Sequence, residues 1–394
     1  MKAFLIAGEA SGDALGGALM AGLRELAPGI AFDGVGGPLM QAQGLVSRFP
    51  MDELSLMGLA EVLPKYFHLK RRIRETADAV IATKPDVLIT IDSPDFCLRV
   101  ARLVKEARPD LRTVHYVAPS VWAWRPGRAA KMAKMIDHVL ALLPFEPPYM
   151  EAAGMECTFV GHPVVAQPQA TEAEIAAFRT AHDLGEAPVL LVLPGSRRGE
   201  VGRVGQIFGT ALKQVLADRP DLRVVVPAAP GVAQLVQETV ADWPGQVLVL
   251  DPRGTDADLA ASHKRAAFAT AVAAIATSGT VSLELAAAGT PMVVAYDFNW
   301  LSRKLIWRMA LIDTVTLVNL VTDTRTVPEC LGEDCRPELI AAGLKTVLAD
   351  PTAQLDAMAL TMKRLGQGGE APGLRAARAI LSGLSGANPA HGGA

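Results

Sequence analysis

Short apolar runs alternate with longer stretches of helical character along most of the chain. The first series is Phe4 to Ala7, Val87 to Ile91, Thr113 to Val117 and Val139 to Leu143. A second comprises Val189 to Leu193, Arg223 to Val226, Val247 to Leu250, Ala271 to Ala276 and Met292 to Ala295. Runs that are apolar throughout belong to strands buried on both faces. Their alternation with helices predicts parallel sheets covered on both sides. Two successive α/β units are expected. The polar, proline-containing stretch that follows Gly161-His162-Pro163-Val164-Val165 separates them, giving units at 1–165 and 166–350. Pro351 to Leu384 reads as helical, and residues 385–394 are Gly, Ala and Pro without periodicity, the composition of a disordered tail.

Ala266 to Leu283 carries no charge and is long enough to imitate a membrane span. It is mostly Ala, Thr, Ser and Gly, however, and Thr277-Ser278-Gly279-Thr280 breaks it where a strand-loop-helix junction would. A length of 394 residues, about two to three times a typical domain, fits the two-unit reading. A net charge of -3 does not suggest a nucleic-acid partner, so any anion must be met by a local patch. Cys97, Cys157, Cys330 and Cys335 show neither CxxC nor Cys/His spacing, which fits a reducing cytosol. The apolar run after Lys2 is too short for a signal-peptide core, so the protein is expected to stay inside the cell.

Two glycine-containing loops follow apolar runs and open helices: Leu193-Pro194-Gly195-Ser196-Arg197-Arg198 and Ala276 to Glu284, which includes Ser278, Gly279 and Thr280. A strand passing into a helix through small residues leaves backbone N–H groups and a positive helix end facing outward, a good seat for phosphate. Arg197 adds a cationic donor, and Glu284 lies one to two turns into the second helix, within reach of a ribose. The pair reads as one nucleoside diphosphate site, although either glycine also suits a plain tight turn. Neither GxGxxG nor a P-loop is present, so no nicotinamide or flavin cofactor is implied.

The first half carries three further loops. Gly8-Glu9-Ala10-Ser11-Gly12-Asp13 suits either an approaching substrate or a helix cap. Asp92-Ser93-Pro94-Asp95-Phe96 places two carboxylates on a proline-stiffened loop. Displacement at an anomeric carbon requires removal of the attacking hydroxyl's proton, and Asp95 is the candidate base with Asp92 as its neighbour. Trp122 and Trp124, within Pro119 to Arg125, offer a surface for a sugar face or acyl chain, or a satellite core. Asp256-Ala257-Asp258 resembles a metal-binding DxD pair but starts a helical stretch, where acidic residues are expected. His162 has no partner at metal-ligand spacing, so no metal site is assigned. Between Leu54 and Arg74, the apolar Leu56, Met57, Leu63 and Phe67 run into a basic cluster with Arg71 and Arg72. Trp300 to Arg308 repeats the pattern. Each reads as a segment lying on an anionic membrane, or as an ordinary amphipathic helix.

These loops, in this order, resemble the lipid A disaccharide synthases. The resemblance rests on Gly8 to Asp13, Leu56-Met57-Gly58-Leu59-Ala60-Glu61-Val62, Asp92 to Phe96, Pro119 to Arg125, Leu143-Pro144-Phe145-Glu146, Leu193 to Arg197, Ser278 to Glu284 and Asn319. It implies a GT-B fold of two Rossmann-like parallel-sheet domains facing across a cleft. A C-terminal helix would return to the first domain, so that about 351–384 completes it. It further implies transfer of 2,3-diacylglucosamine from UDP to the 6-hydroxyl of 2,3-diacylglucosamine 1-phosphate, with inversion, at the cytoplasmic face of the inner membrane. By resemblance Asp95 is the essential carboxylate, Arg197 contacts the diphosphate, and Ser278 to Glu284 and Asn319 contact UDP. Ser11, Gly12, Asp13, Trp122 and Trp124 then lie on the acceptor side. No cofactor or metal is implied, and a homodimer is left open. Where the family often shows Pro-Glu-x-x-Gln, this chain has Gly332, which brings no side chain to a site.

Two other readings share the architecture. A UDP-sugar 2-epimerase would have no use for the basic-aromatic segments, and a non-catalytic membrane-bound UDP-sugar sensor would have none for a base at Asp95.

Overall fold

The computed structural model describes residues 1–54, 59–297 and 309–386. The chain divides into two compact units, Met1–Ala166 with Leu365–Ala394, and Gln167–Arg364. The first holds six parallel strands, β1 (Lys2–Ala7), β2 (Ala31–Val35), β3 (Val87–Ile91), β4 (Arg112–Tyr116), β5 (His138–Ala141) and β6 (Glu156–Phe159). Their order is β2-β1-β3-β4-β5-β6. The second holds β7 (Val189–Leu193), β8 (Arg223–Pro227), β9 (Val247–Leu250), β10 (Ala271–Ala276), β11 (Met292–Tyr296) and β12 (Glu329–Leu331). These are also all parallel, in the order β12-β11-β10-β7-β8-β9.

Along β1, Phe4 and Ile6 join a core with Leu88, Val100 and Val139, while Ala3, Leu5 and Ala7 join a separate core with Leu19, Ile89 and Ile380. Successive side chains of a strand point to opposite faces, so one short run feeds two cores. Each large apolar side chain buried this way contributes about 1.5–3 kcal/mol. The strands absent from the apolar pattern are all edges. No residue of β6 is fully buried, and in the three-residue β12 only Cys330 is. An edge strand is covered less completely and needs fewer apolar side chains.

The sequence from about 351 onward was expected in the first unit, but helix Thr352–Arg364 lies in the second. Its Gln354 is buried, accepts from the Met292 N–H, and donates to the carbonyls of Met292 at 3.1 Å and Thr326 at 3.3 Å. An amide whose bonds are made to the start of β11 and a neighbouring loop fastens its helix there. The chain re-enters the first unit at Leu365, and helix Pro372–Gly386 packs on helix Ala10–Leu26. Two glycines allow the approach. A Cβ at Gly22 would lie 2.8 Å from the Gly373 carbonyl oxygen, and one at Gly373 2.5 Å from that of Ala18. The uncharged stretch 266–283 forms the end of helix Ala257–Thr270, then β10, a loop and the start of helix Val281–Ala288. Among the described residues no helix is long and apolar enough to cross a membrane.

One buried carboxylate closes the turn after β5. Glu146 accepts hydrogen bonds from the N–H groups of Leu142 at 3.1 Å and Leu143 at 3.0 Å, and from the Trp122 indole at 3.3 Å. Burial pushes its carboxyl up to about 7, and those three donors oppose the rise.

Two predictions test this packing. Gly373→Ala lowers unfolding stability by about 1–3 kcal/mol, because backbone atoms must yield to the new methyl group. Gly29→Ala, where no atom lies within 4 Å, serves as the neutral comparison in urea titrations. Equal midpoints would refute the close approach. Glu146 binds its proton more tightly in the folded than in the unfolded chain. Its contribution is therefore full below the unfolded value near 4.5 and is lost as pH rises through about 7. The urea midpoint of the wild type should fall relative to Glu146→Gln between pH 5 and pH 8 (about one unit or more either side of the transition). A constant difference would refute it.

Candidate active site

In each sheet the strand order reverses once, between β1 and β3 in the first unit and between β7 and β10 in the second. The loops leaving the carboxyl ends of such a strand pair diverge and open a crevice, where open α/β sheets bind ligands. The second unit's pair are the loops holding Gly195 and Gly279. Both glycines adopt positive φ, +107° and +149°, backbone that residues with a side chain avoid. Gly195, Ser196, Arg197, Ser278, Gly279, Thr280 and Glu284 all line one cavity of about 1020 Å³.

The two loops differ in what they offer an anion. Ser196 and Arg197 direct their backbone N–H groups at Glu200, at 3.1 and 3.2 Å, and the Arg197 guanidinium meets the same carboxylate at 3.1 Å. Glu200, which sequence reasoning passed over, is nearly buried and fixes the loop from within. Its spacing after Arg197, the N3 position of the helix starting at Arg198, was the available signal. At the second loop, among the described residues, the backbone N–H groups of Ser278, Gly279 and Thr280 make no hydrogen bond. Free donors and the positive end of helix Val281–Ala288 thus coincide there. Arg197 remains exposed despite its bond to Glu200.

Glu284 faces the cavity with one oxygen 2.6 Å from Lys264, whose ammonium also lies over the Phe268 ring. His182 and His263 line the same cavity, 3.3 Å apart between ring nitrogens. Burial, and then the neighbouring His263, lower the pKa of His182. Asn319 does not join them. It is buried, donates to Thr314 and the Val327 carbonyl, and accepts from the Val327 N–H. With Glu329, which accepts from Thr314, Val315 and Thr316, it holds the loop before β12 in shape. Gly332 is buried beside it. Asp256 caps its helix by accepting from Asp258 and Leu259.

At the first unit's reversal, Asp92 and Ser93 both sit in the left-handed region, at φ +52° and +42°. Ser93 precedes helix Pro94–Ala107, and among the described residues its buried hydroxyl makes no hydrogen bond. It lies so close to β1's loop that a Cβ on Gly8 would come within 2.6 Å of it. Val117, a β-branched residue, is at φ +89°, and Arg125 at +50°. Among the described residues, four of the seven non-glycine residues with positive φ therefore fall in the loops after β3 and β4. Strain of this kind, about 1–3 kcal/mol each, gathers at functional sites. Asp95 is exposed in the first turn of its helix, and Ser11 reaches Asp92 at 3.5 Å.

The other acceptor-side residues divide. Asp13 is buried and accepts from the N–H groups of Gly37, Leu39 and Met40 at the start of helix Pro38–Ala42, a structural task that accounts for its place in the sequence. Gly12 is buried against Ala7 and Ile91. Trp122 meets Phe145 edge-on at 5.1 Å, and Trp124 is exposed beneath the Arg125 guanidinium.

Of the membrane-facing set, Leu56 and Met57 lie outside the described residues, as do the side chain of Leu63 and all of Trp300 to Arg308. On helix Leu59–Thr83, Leu69, Ile73, Ala77 and Val80 pack inward. Phe67, 81% exposed, with the exposed Lys70, Arg71 and Arg74, follows i, i+3, i+4, i+7 spacing and forms one outward stripe. Arg72 is not part of it. It forks onto Glu53 at 2.7 and 2.9 Å and covers the Phe49 ring, bonds that hold the Glu53 carboxyl below its usual range.

Comparison with known proteins completes the picture. The model of the family described as lipid-A-disaccharide synthetase matches residues 3–377. The lipid-A-disaccharide synthase of Ruegeria pomeroyi is 69% identical over 386 residues, covering 98% of this chain and 96% of the relative. That of Rhodospirillum centenum is 48% identical, covering 96% and 94%. Among solved structures, UDP-GlcNAc 2-epimerase from Neisseria meningitidis bound to UDP-GlcNAc superposes with a TM-score of 0.63 at 13% identity, covering 98% of this chain and all (100%) of the other. MurG from Acinetobacter baumannii gives a TM-score of 0.53 at 15% identity, covering 98% and 99%. At such identities the structures share the fold alone, whereas the sequence match runs through both strand-order reversals and nearly the whole length. The chain belongs to the lipid-A-disaccharide synthetase family.

Proposed function

We propose that the chain condenses UDP-2,3-diacylglucosamine with 2,3-diacylglucosamine 1-phosphate, giving the β-1,6-linked disaccharide 1-phosphate and UDP. Family membership over nearly the full length carries this reading, and the geometry supports a division of labour. UDP occupies the second unit's cavity, its diphosphate against the free N–H groups of Ser278, Gly279 and Thr280 and the Arg197 guanidinium. Glu284, one oxygen held by Lys264, keeps the other for the ribose hydroxyls. The acceptor's 6-hydroxyl attacks the anomeric carbon as Asp95 takes its proton. The bond from that carbon to the diphosphate oxygen breaks, and UDP leaves with the electron pair. Charge that grows on the diphosphate is met by donors already in place, which is how preorganised sites lower such barriers.

The stripe of Phe67, Lys70, Arg71 and Arg74 supports a peripheral seat on an anionic membrane, where both acylated substrates reside. An aromatic side chain in the acyl boundary and three cations at the headgroups act together. The epimerases share this chain's fold, but their reaction needs no second sugar.

Asp95→Asn should lower turnover at least ~100-fold, within the contribution of general-base catalysis, while UDP affinity stays unchanged. Lost UDP binding or full activity would reject Asp95 as base. UDP release should occur only when the acceptor is present, and release without it would favour the epimerase chemistry. Charge reversal of Lys70, Arg71 and Arg74 should abolish co-sedimentation with anionic vesicles, and unchanged sedimentation would reject the stripe as the lipid contact.

A further inference from the structure

The bonds of Glu146 are divided between two tasks. One oxygen, Oε2, takes the N–H groups of Leu142 and Leu143 and closes the turn after β5. The other, Oε1, is left for the Trp122 indole N–H at 3.3 Å. The neighbouring Phe145 ring meets the edge of the same indole, so Trp122 is held from two sides by consecutive residues of one turn. A glutamine would close the turn equally well through its single carbonyl oxygen. Its amide nitrogen would then face the indole nitrogen donor to donor. Keeping a carboxylate 4% exposed opposes its ionisation, and the one bond that requires an acceptor on both sides of the group is the bond to Trp122.

We infer that Glu146 is a positioning residue for the acceptor sugar, fixing the plane of the Trp122 indole against which the glucosamine 1-phosphate ring packs. The inference rests on the acceptor-side reading of Trp122. Trp122 follows the strained Val117 on the loop after β4, next in the sheet to the loop bearing Asp95, and it is only partly buried. An aromatic ring presents an apolar face for a sugar's C–H surface, but only in one orientation. A side-chain bond at the indole nitrogen is what sets that orientation.

The test uses Glu146→Gln, Trp122→Phe, their double variant and Trp122→Ala, with both substrates varied independently. At pH 8, above the value of about 7 at which Glu146 ionises, Glu146→Gln should raise the acceptor KM about 10-fold, the effect of losing one hydrogen bond to a charged group, with donor KM and UDP affinity unchanged. Trp122→Phe removes the same bond from its other end and should act alike, and the double variant should be no worse than either single one. If Glu146→Gln acts as strongly in the Trp122→Phe background, or spares the acceptor KM, the positioning role is overturned. Should Glu146→Gln not fold, Trp122→Phe decides alone: an acceptor KM raised about 10-fold supports the role, and an unchanged one overturns it. Trp122→Ala separates the two levels. If it leaves the acceptor KM unchanged, the acceptor-side reading itself falls.

Discussion

Burial of both faces of each sheet governs the rest of this molecule. Strands such as Leu88 to Ile91 and Val189 to Leu193 have given every side chain to a core, so none is left for chemistry. Ligand contacts can come only from the loops at strand ends. Of these, the pairs at the points where strand order reverses diverge and open a crevice, which in the second unit the loops after β8 and β9 complete with Pro230 and Asp251. This is why Asp92 to Asp95 and Ser11 come together in one unit, and Gly195 to Arg197 and Ser278 to Thr280 in the other, although each set is far apart in sequence.

Within those loops the accounting of hydrogen bonds separates structural acids from reactive ones. Asp13, Glu200, Glu329 and Glu146 each satisfy backbone N–H groups that a turn or helix start would otherwise leave bare. Such a carboxylate is committed to the turn or helix start that it closes. Asp95 differs: its carboxyl is exposed, on a helix whose start is set by Pro94 and the left-handed Ser93, which is what the proposed base requires.

That accounting also marks the limit of what the sequence discloses. The central strands were legible because complete burial writes itself as an apolar run, and the edge β9 was legible too because Val247 to Leu250 is apolar though only partly buried, whereas an acidic residue interrupts each of the edges β2, β6 and β12. Gly195 to Arg197 and Ser278 to Thr280 could be placed on one cavity in advance, since small residues between a strand and a helix admit few geometries, whereas Glu200, His182, His263 and Lys264, which line it too, could not. Asp13 and Asn319 looked the same in sequence as ligand groups, and only the donors placed around them by distant segments, Gly37 to Met40 and Val327, reveal that they hold loops together. Arg72 sits among outward cations in the sequence, yet Glu53 draws it inward. Helix Thr352–Arg364 was misassigned for the same reason, because the partners of Gln354 lie 28 and 62 residues away.

The charge balance around the donor cavity follows from Glu200. A carboxylate buried at a helix start beside a diphosphate site would repel the ligand unless neutralised. The guanidinium of Arg197 lies 3.1 Å from it while remaining exposed on the cavity side. Glu200 also consumes the two N–H groups of the first loop. Positive potential in the cavity is therefore less compensated at the second loop, where among the described residues the N–H groups of Ser278 to Thr280 make no hydrogen bond, which supports centring the proposed diphosphate there. In the proposed reading Arg197 serves two anions, the internal carboxylate that holds its loop and the diphosphate that its exposed face would meet. Its planar guanidinium holds separate N–H edges at fixed angles for the two, a geometry that the freely rotating ammonium of lysine does not fix.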